Sequence, residues 1–266
     1  MAGPTAAERG TRKPNGPSPA GRVPGGSSSR RPRLPRPRVL LLLVAVLVLG
    51  GAGVWALYGS DWLRVERVGV SGTKVLTPRE VLAVAEVPVG EPLISVDTGR
   101  MEDRLRKELP RIDAVEVARS WPHGIAVRVT ERTPVLLIGK QAKFIEVDAK
   151  GVRFATVEDA PRGLPLLEWA AARSPSLSRF GESRLVREAV RVVGELPAHV
   201  KKDTRTVRVV SYDSVTLKLT HGRSVQWGSG EEGEAKARAL TVLMKAEPEA
   251  RHFDVSAPTA PAASGS

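Results

Sequence analysis

"DTGRMEDRLRKELPRIDAVEVARSWPHGIAVRVTERTP", Asp97 to Pro134, carries the pattern that decides the fold. Met101, Leu105 and Leu109 recur every four residues with charges between them, as on a helix with one apolar face, and Pro110 cannot continue it. The period then changes. Val115 and Val117 share one side of Glu116, and Ile125, Val127 and Val129 alternate with Ala126 and Arg128, as in two half-buried strands. Trp121-Pro122-His123-Gly124 reads as the turn between them, which makes the pair antiparallel.

Upstream, Thr77-Pro78-Arg79-Glu80 has the form of a capping box with proline at the first helical position, so a short helix is expected to about Glu86. Before it, "WLRVERVGVSGTK" (Trp62 to Lys74) alternates Val68 and Val70 with Arg67 and Gly69. Val65 is out of phase, which predicts a bulge. Ser71-Gly72-Thr73-Lys74 has a superficial likeness to a phosphate loop. A P-loop needs G-x-x-x-x-G-K-[ST] running straight into a helix, and here one glycine stands well ahead of Pro78, so this is a turn. The element order is therefore β-α-α-β-β over residues 62–132.

Further upstream, Val39 to Leu57 (VLLLLVAVLVLGGAGVWAL) contains no charge. Nineteen helical residues cover roughly 28 Å, close to a bilayer's hydrocarbon thickness. A transmembrane helix is expected over 39–58, with Trp55, Tyr58 and Trp62 at its downstream interface and Arg38 upstream. Arg30, Arg31, Arg33 and Arg36 crowd the same upstream side, which predicts a cytoplasmic N-terminus. A cleaved signal peptide is the competing reading; the long basic region and the lack of an A-x-A site speak against it. Residues 1–38, rich in Pro, Gly, Ser and Arg, are expected to be a disordered cytoplasmic tail.

That tail also accounts for most of the charge. It holds nine Arg and Lys against one Glu, so +8 of the net +12 precedes residue 39. The rest is nearly balanced, and two Tyr and four Phe offer few platforms for bases, so nucleic acid is not the expected partner. The absence of cysteine excludes disulfides, thiolate metal sites and cysteine nucleophiles.

Residues 134–258 read as a β-rich domain with two helices. Phe144–Val147 and Val152–Phe154 flank a turn at Asp148 to Gly151. Leu185, Val186, Ala189, Val190 and Val193 form a helical stripe, and Ala235, Leu240 and Leu243 mark a second. Val215, Leu217 and Leu219 alternate with polar residues before a His221-Gly222 turn into Val225–Trp227. Phe253 and Val255 form the expected last strand, and 259–266 a disordered tail. The fold class is α+β.

No chemistry is pronounced. His123, His199, His221 and His252 are scattered, Glu158-Asp159 and Glu231-Glu232 fall near loops or a helix start, and neither G-x-S-x-G nor S-x-x-K occurs. No catalytic residue, cofactor, metal or small-molecule substrate is therefore expected. Glu131, Arg132 and Pro134 mark a domain junction whose charges tie the modules together or belong to a recruitment surface.

"VERVGVSG", the Val96–Val135 stretch with its Arg119-x-Trp121-Pro122 turn and Glu131-Arg132-x-Pro134 junction, "FIEVDAKGVRF" and "HFDVSAP" together resemble the FtsQ/DivIB cell-division family, particularly its actinobacterial members. The resemblance covers Arg38 to Pro258. It implies a POTRA module followed by a family-specific β-domain, and a non-catalytic membrane scaffold of the divisome at the septum. It also implies partners of the FtsB/DivIC and FtsL type, a link to septal peptidoglycan synthases, and docking at the terminal strand: Phe253, Asp254, Val255, Ser256, Ala257 and Pro258. A cell-wall-modifying enzyme or a secreted binding module is the alternative.

The charge asymmetry across residues 39–58 yields a direct test. A reporter active only in the cytoplasm, fused after Pro258, is expected to be silent, and strong signal would reverse the orientation.

Overall fold

The computed structural model describes residues 37–169 and 181–265. The expected disorder of the tail and most of its arginines fall outside them. Helix α1, Pro37–Gly59, buries none of its 23 residues. It starts ahead of the apolar run because proline's fixed φ suits a first turn, and at about 1.5 Å per residue it is about 34 Å long. Its length and composition are those of a membrane-crossing helix. Arg38 lies in its first turn and Trp55 and Tyr58 in its last turns, with Trp62 in a following 3₁₀ turn, Asp61–Leu63.

The module after it is built as the periodicities dictate. It comprises β1 (Arg67–Ser71), α2 (Pro78–Ala85), α3 (Thr98–Glu108), β2 (Ile112–Ser120) and β3 (Gly124–Glu131). The Thr77 hydroxyl accepts from the Glu80 N–H at 3.2 Å while the Glu80 carboxylate accepts from the Thr77 N–H at 2.7 Å, which closes the capping box. The sheet order is β1-β3-β2. β3 pairs antiparallel with β2 (Val117 opposite Val127) and parallel with β1 (Val68 beside Ile125). Met101 and Leu105 of α3 and Val81 and Ala85 of α2 are buried in one core with Val115, Val117, Ile125, Val127 and Val129.

Val65 precedes the expected irregularity. It is buried but stands before β1, where its N–H donates to the Glu91 carbonyl at 2.9 Å and its carbonyl accepts from Gly90 at 2.8 Å. The consecutive Glu66 and Arg67 N–H groups then both donate to the His123 carbonyl, at 2.9 and 3.2 Å, the two-against-one pattern of a bulge at the entry to β1. The Ser71–Lys74 stretch is a turn: Gly72 sits at φ +84°, and a side chain there would collide with the Val129 carbonyl. The outer edge of β2 is occupied, since Glu102 accepts the Val117 N–H at 2.9 Å and Arg106 donates to the Val115 carbonyl at 3.2 Å.

The second domain is a nine-stranded sheet in the order β12-β11-β10-β9-β8-β7-β4-β5-β6. Its strands are β4 (Pro134–Lys140), β5 (Lys143–Asp148), β6 (Arg153–Val157), β7 (Leu166–Trp169), β8 (Thr204–Ser211), β9 (Ser214–Leu219), β10 (Ser224–Gly228), β11 (His252–Asp254) and β12 (Ala262–Ser264). The helices are α4 (Glu182–Glu195), α5 (Ala198–Asp203) and α6 (Gly233–Ala246). Alternate residues such as Val215, Leu217, Val225 and Trp227 are fully buried in a core with the apolar stripe of α4 and with Leu240 of α6.

Two expectations are corrected here. The short α5 makes a third helix among the described residues; six residues are too few to display a helical period. Residues 259–266 contain β12, which pairs antiparallel with β11 (Phe253 opposite Ala263). Ala-Ala-Ser has no strand signature, so only the neighbouring edge makes it a strand.

Leu105 is fully buried at the centre of the first core. Leu105→Asp is expected to cost about 3–5 kcal/mol, since it places a charge against apolar strands. Thermal melting of the variant checks this; an unchanged transition would mean that the buried face is wrong.

Candidate protein-binding edge and domain junction

The junction is assembled from two arginines of the first module and two acids of β5. The Arg132 guanidinium reaches Asp113 of β2 at 3.0 Å and bonds Asp148 of β5, while its Nε donates to the Pro110 carbonyl at 3.0 Å. Arg111 pairs with Glu146 of β5 at 2.7 Å and lies 5.2 Å over the Phe154 ring of β6. The Glu146 and Asp148 side chains are each 6% exposed, so these pairs are largely shielded from water. Asp148 also accepts from the Lys150 and Val152 N–H groups at 2.9 and 2.8 Å, closing the turn before β6. Gly151 in that turn is at φ +79°, and a side chain there would strike Arg187 of α4. Asp113 is held below the ordinary aspartate range, first by its bond from the Lys150 ammonium and also by Arg132, against the opposing effect of burial.

Glu131 behaves differently from its neighbour. It points back into the first module, where its carboxylate accepts from the N–H groups of Lys74, Val75 and Leu76. Burial pushes its pKa up, but these three donors together bring it below the ordinary value. Its stabilising contribution is therefore present above the usual carboxylate range and lost as pH falls through the lowered pKa. Pro134 opens β4, opposite Asp148. Sequence reasoning missed Arg111, Asp113, Glu146, Asp148 and Lys150; the only local signal was the Asp148–Gly151 turn, which shows a bend and not a partner.

The terminal strand is also placed differently from the expectation. β11 is interior: β10 lies on one side in parallel and β12 on the other. The Val255 N–H donates to the Gln226 carbonyl of β10 at 3.0 Å, so it is not free to receive another chain. Phe253 and Val255 are buried, Asp254 accepts from the Ser256 N–H and hydroxyl at 2.9 and 2.7 Å, and Ala257 and Pro258 lead towards β12. The sheet ends instead at Ala262–Ser264. Asp254 and His252 stand opposite Ala262 and Ser264, and the alternation of an antiparallel ladder turns the Ala263 N–H and C=O outward.

The face of the sheet away from the helices is polar. Thr216 bonds Gln226 at 2.6 Å, Lys218 pairs with Glu168 at 2.7 Å, and the Ser224 hydroxyl lies 2.8 Å from His252 Nδ1. Ser224 and His252 with Asp254 nearby have the composition of a hydrolytic triad. Asp254 is engaged with Ser256, however, so it does not orient the imidazole as a triad acid must. Of the other histidines, His123 contacts Arg67, and His221 adopts φ +59° in its turn. Among the described residues, no three His, Asp or Glu side chains group as metal ligands.

Comparison with known proteins locates this architecture. The model of the POTRA domain, FtsQ-type, matches residues 63–132, and that of the cell division protein FtsQ/DivIB, C-terminal, matches 137–256. The cell division protein FtsQ of Streptomyces venezuelae is 61% identical over 269 residues, covering 100% of this chain and 99% of that one. The chain belongs to the FtsQ/DivIB cell-division family. FtsQ of Streptomyces collinus is 62% identical over the whole of both chains, and FtsQ of Mycobacteroides abscessus is 31% identical over 83% of this chain and 68% of its own. The extracytoplasmic domain of DivIB from Geobacillus stearothermophilus overlaps 44% of this chain at 16% identity and a TM-score of 0.32, too loose a likeness to bear on detail.

In this FtsQ/DivIB member, Arg132 joins the POTRA domain to the β-domain. Arg132→Ala leaves Asp148 short of its counter-charge and is expected to cost about 2–4 kcal/mol. Limited proteolysis should then cut near Thr133 well before either domain core. Equal cleavage rates in variant and wild type would remove Arg132 from the junction.

Proposed function

We propose that this chain is a non-catalytic bitopic scaffold of the division complex. Its N-terminus is cytoplasmic, and its POTRA and β-domains stand outside the membrane at the septum. It binds small coiled-coil division proteins of the FtsB/DivIC and FtsL type and so links early assembly to the septal peptidoglycan synthases. Membership of the FtsQ/DivIB family and one N-terminal apolar helix of spanning length support this reading.

The observation that carries the binding step is the uncovered edge of β12. Natural edges are usually protected by charge, proline or a covering element, yet Ala262, Ala263 and Ser264 supply no charge, and among the described residues β12 pairs with β11 alone. The opposite edge, β6, has its first residue tied to α4 by the Arg153–Glu182 pair at 2.7 Å. A partner segment adding to β12 would gain main-chain hydrogen bonds, with affinity set by backbone pairing because the side chains are small. The six residues Phe253–Pro258 then support that edge from behind.

Ala263→Pro removes the outward donor while leaving the bonds to β11 in place. The full-length variant is expected to melt like wild type and to capture the coiled-coil partner's ectodomain at least about tenfold more weakly, as loss of a short strand ladder implies. Undiminished capture by the folded variant sinks the proposal.

A further inference from the structure

The Gly124 end of the POTRA domain bears three exposed apolar side chains from three separate segments: Trp62 at 70%, Val89 at 66% and Trp121 at 49% exposure. Backbone bonds hold those segments together. Gly90 donates to the Val65 carbonyl at 2.8 Å, and the Glu66 N–H donates to the His123 carbonyl at 2.9 Å. Arg64 adds a bond to the Gly90 carbonyl at 2.8 Å. Val89 and Trp121 are thus anchored to residues 64–66, at most seven residues beyond Gly59, where α1 ends. Seven extended residues reach no more than about 25 Å, and the 3₁₀ turn at Asp61–Leu63 shortens that reach.

Resting on the membrane orientation proposed above, we propose that this end of the domain docks on the outer face of the lipid bilayer, with Trp121 and Val89 entering the headgroup region as a second membrane contact besides α1. The short tether supports a lipid surface as the occupant, because no other surface is held so near the patch by the chain itself. An exposed indole at the same end of the domain as an exposed β-branched apolar residue is the composition that favours the interface. Arg64 and Arg67 share this end with Asp61, Glu66 and Glu91, so apolar insertion and not charge attraction holds it. A domain fixed in this way points β3, and the β-domain that follows it, away from the membrane, because β1 and β3 both run from this end towards Glu131.

The chain has no cysteine, so a single spin label can be placed without removing native residues. Val89→Cys and Val75→Cys are made in the full-length protein. Val75 is also exposed but tied to Glu131 at the other end of the sheet, and so serves as the aqueous reference. Each labelled protein is reconstituted in phosphatidylcholine–phosphatidylglycerol vesicles, and collisions with oxygen and with a water-soluble nickel chelate are compared. The oxygen-to-nickel ratio at position 89 is expected to exceed that at position 75 about fivefold, as interfacial partition demands. Trp121→Glu, added to Val89→Cys, is expected to return that ratio to the aqueous value at unchanged melting temperature. A water-exposed label at 89 overturns the proposal. A label shielded from both reagents also overturns it, in favour of a protein partner, and an unaltered ratio in the Trp121→Glu variant removes Trp121 from the contact.

Discussion

The parallel pairing of β1 with β3 is the constraint on which the arrangement of this protein rests. The chain arrives from α1 at the Arg67 end of β1, and β3, running alongside, delivers it to Glu131 and the β-domain at the other end. A parallel pair cannot be closed by a tight turn, so the intervening segment must cross over, and α2 and α3 are that crossover. They bury Val81, Ala85, Met101 and Leu105 against the sheet, so one element both permits the pairing and completes the core. Had β1 paired antiparallel, the two chain ends would leave from the same side and the β-domain would fold back towards the point of arrival.

The second determinant is electrostatic and confined to a small volume. Arg111 and Arg132 flank the start of β2 and the end of β3, and their acids, Glu146 and Asp148, project from one strand of the next domain. Breaking such a pair strands a charge in a shielded place, which makes the junction resist bending more than a flexible linker would. Only Arg132 and Thr133 separate β3 from β4, which leaves little chain to act as a hinge. The β-domain is tied to the POTRA sheet by bonded side chains on both sides of that short connection.

Much of this was legible in the residues. The four-residue apolar period of Met101–Leu109, the alternation of Ile125–Val129 and the Thr77–Glu80 capping box correspond one for one to α3, β3 and α2, because each is a local regularity enforced by backbone geometry. The candidate edge was legible only in part. The pattern of Phe253 and Val255 marks a strand, but whether a strand is terminal depends on what lies beside it. Ala262–Ser264 has no pattern of its own. Glu131 and Arg132, adjacent in the chain, face different partners, one turned back to Lys74–Leu76 and the other forward to Asp148. Residue type alone does not distinguish those directions.

The sequence by itself determined the periodic elements, the apolar helix of spanning length, the absence of thiol chemistry and the family, since all of these are written in the order and spacing of residues. Only the tertiary structure decided that Val65 bonds to Glu91 and Gly90, that Asp113 and Asp148 share one guanidinium, and that among the described residues the sheet ends at β12 and not at β11. The physical reason is common to the three. Each depends on a hydrogen bond or ion pair between residues 10 or more positions apart, and such contacts form where the packed elements bring donors and acceptors together, which no local pattern encodes.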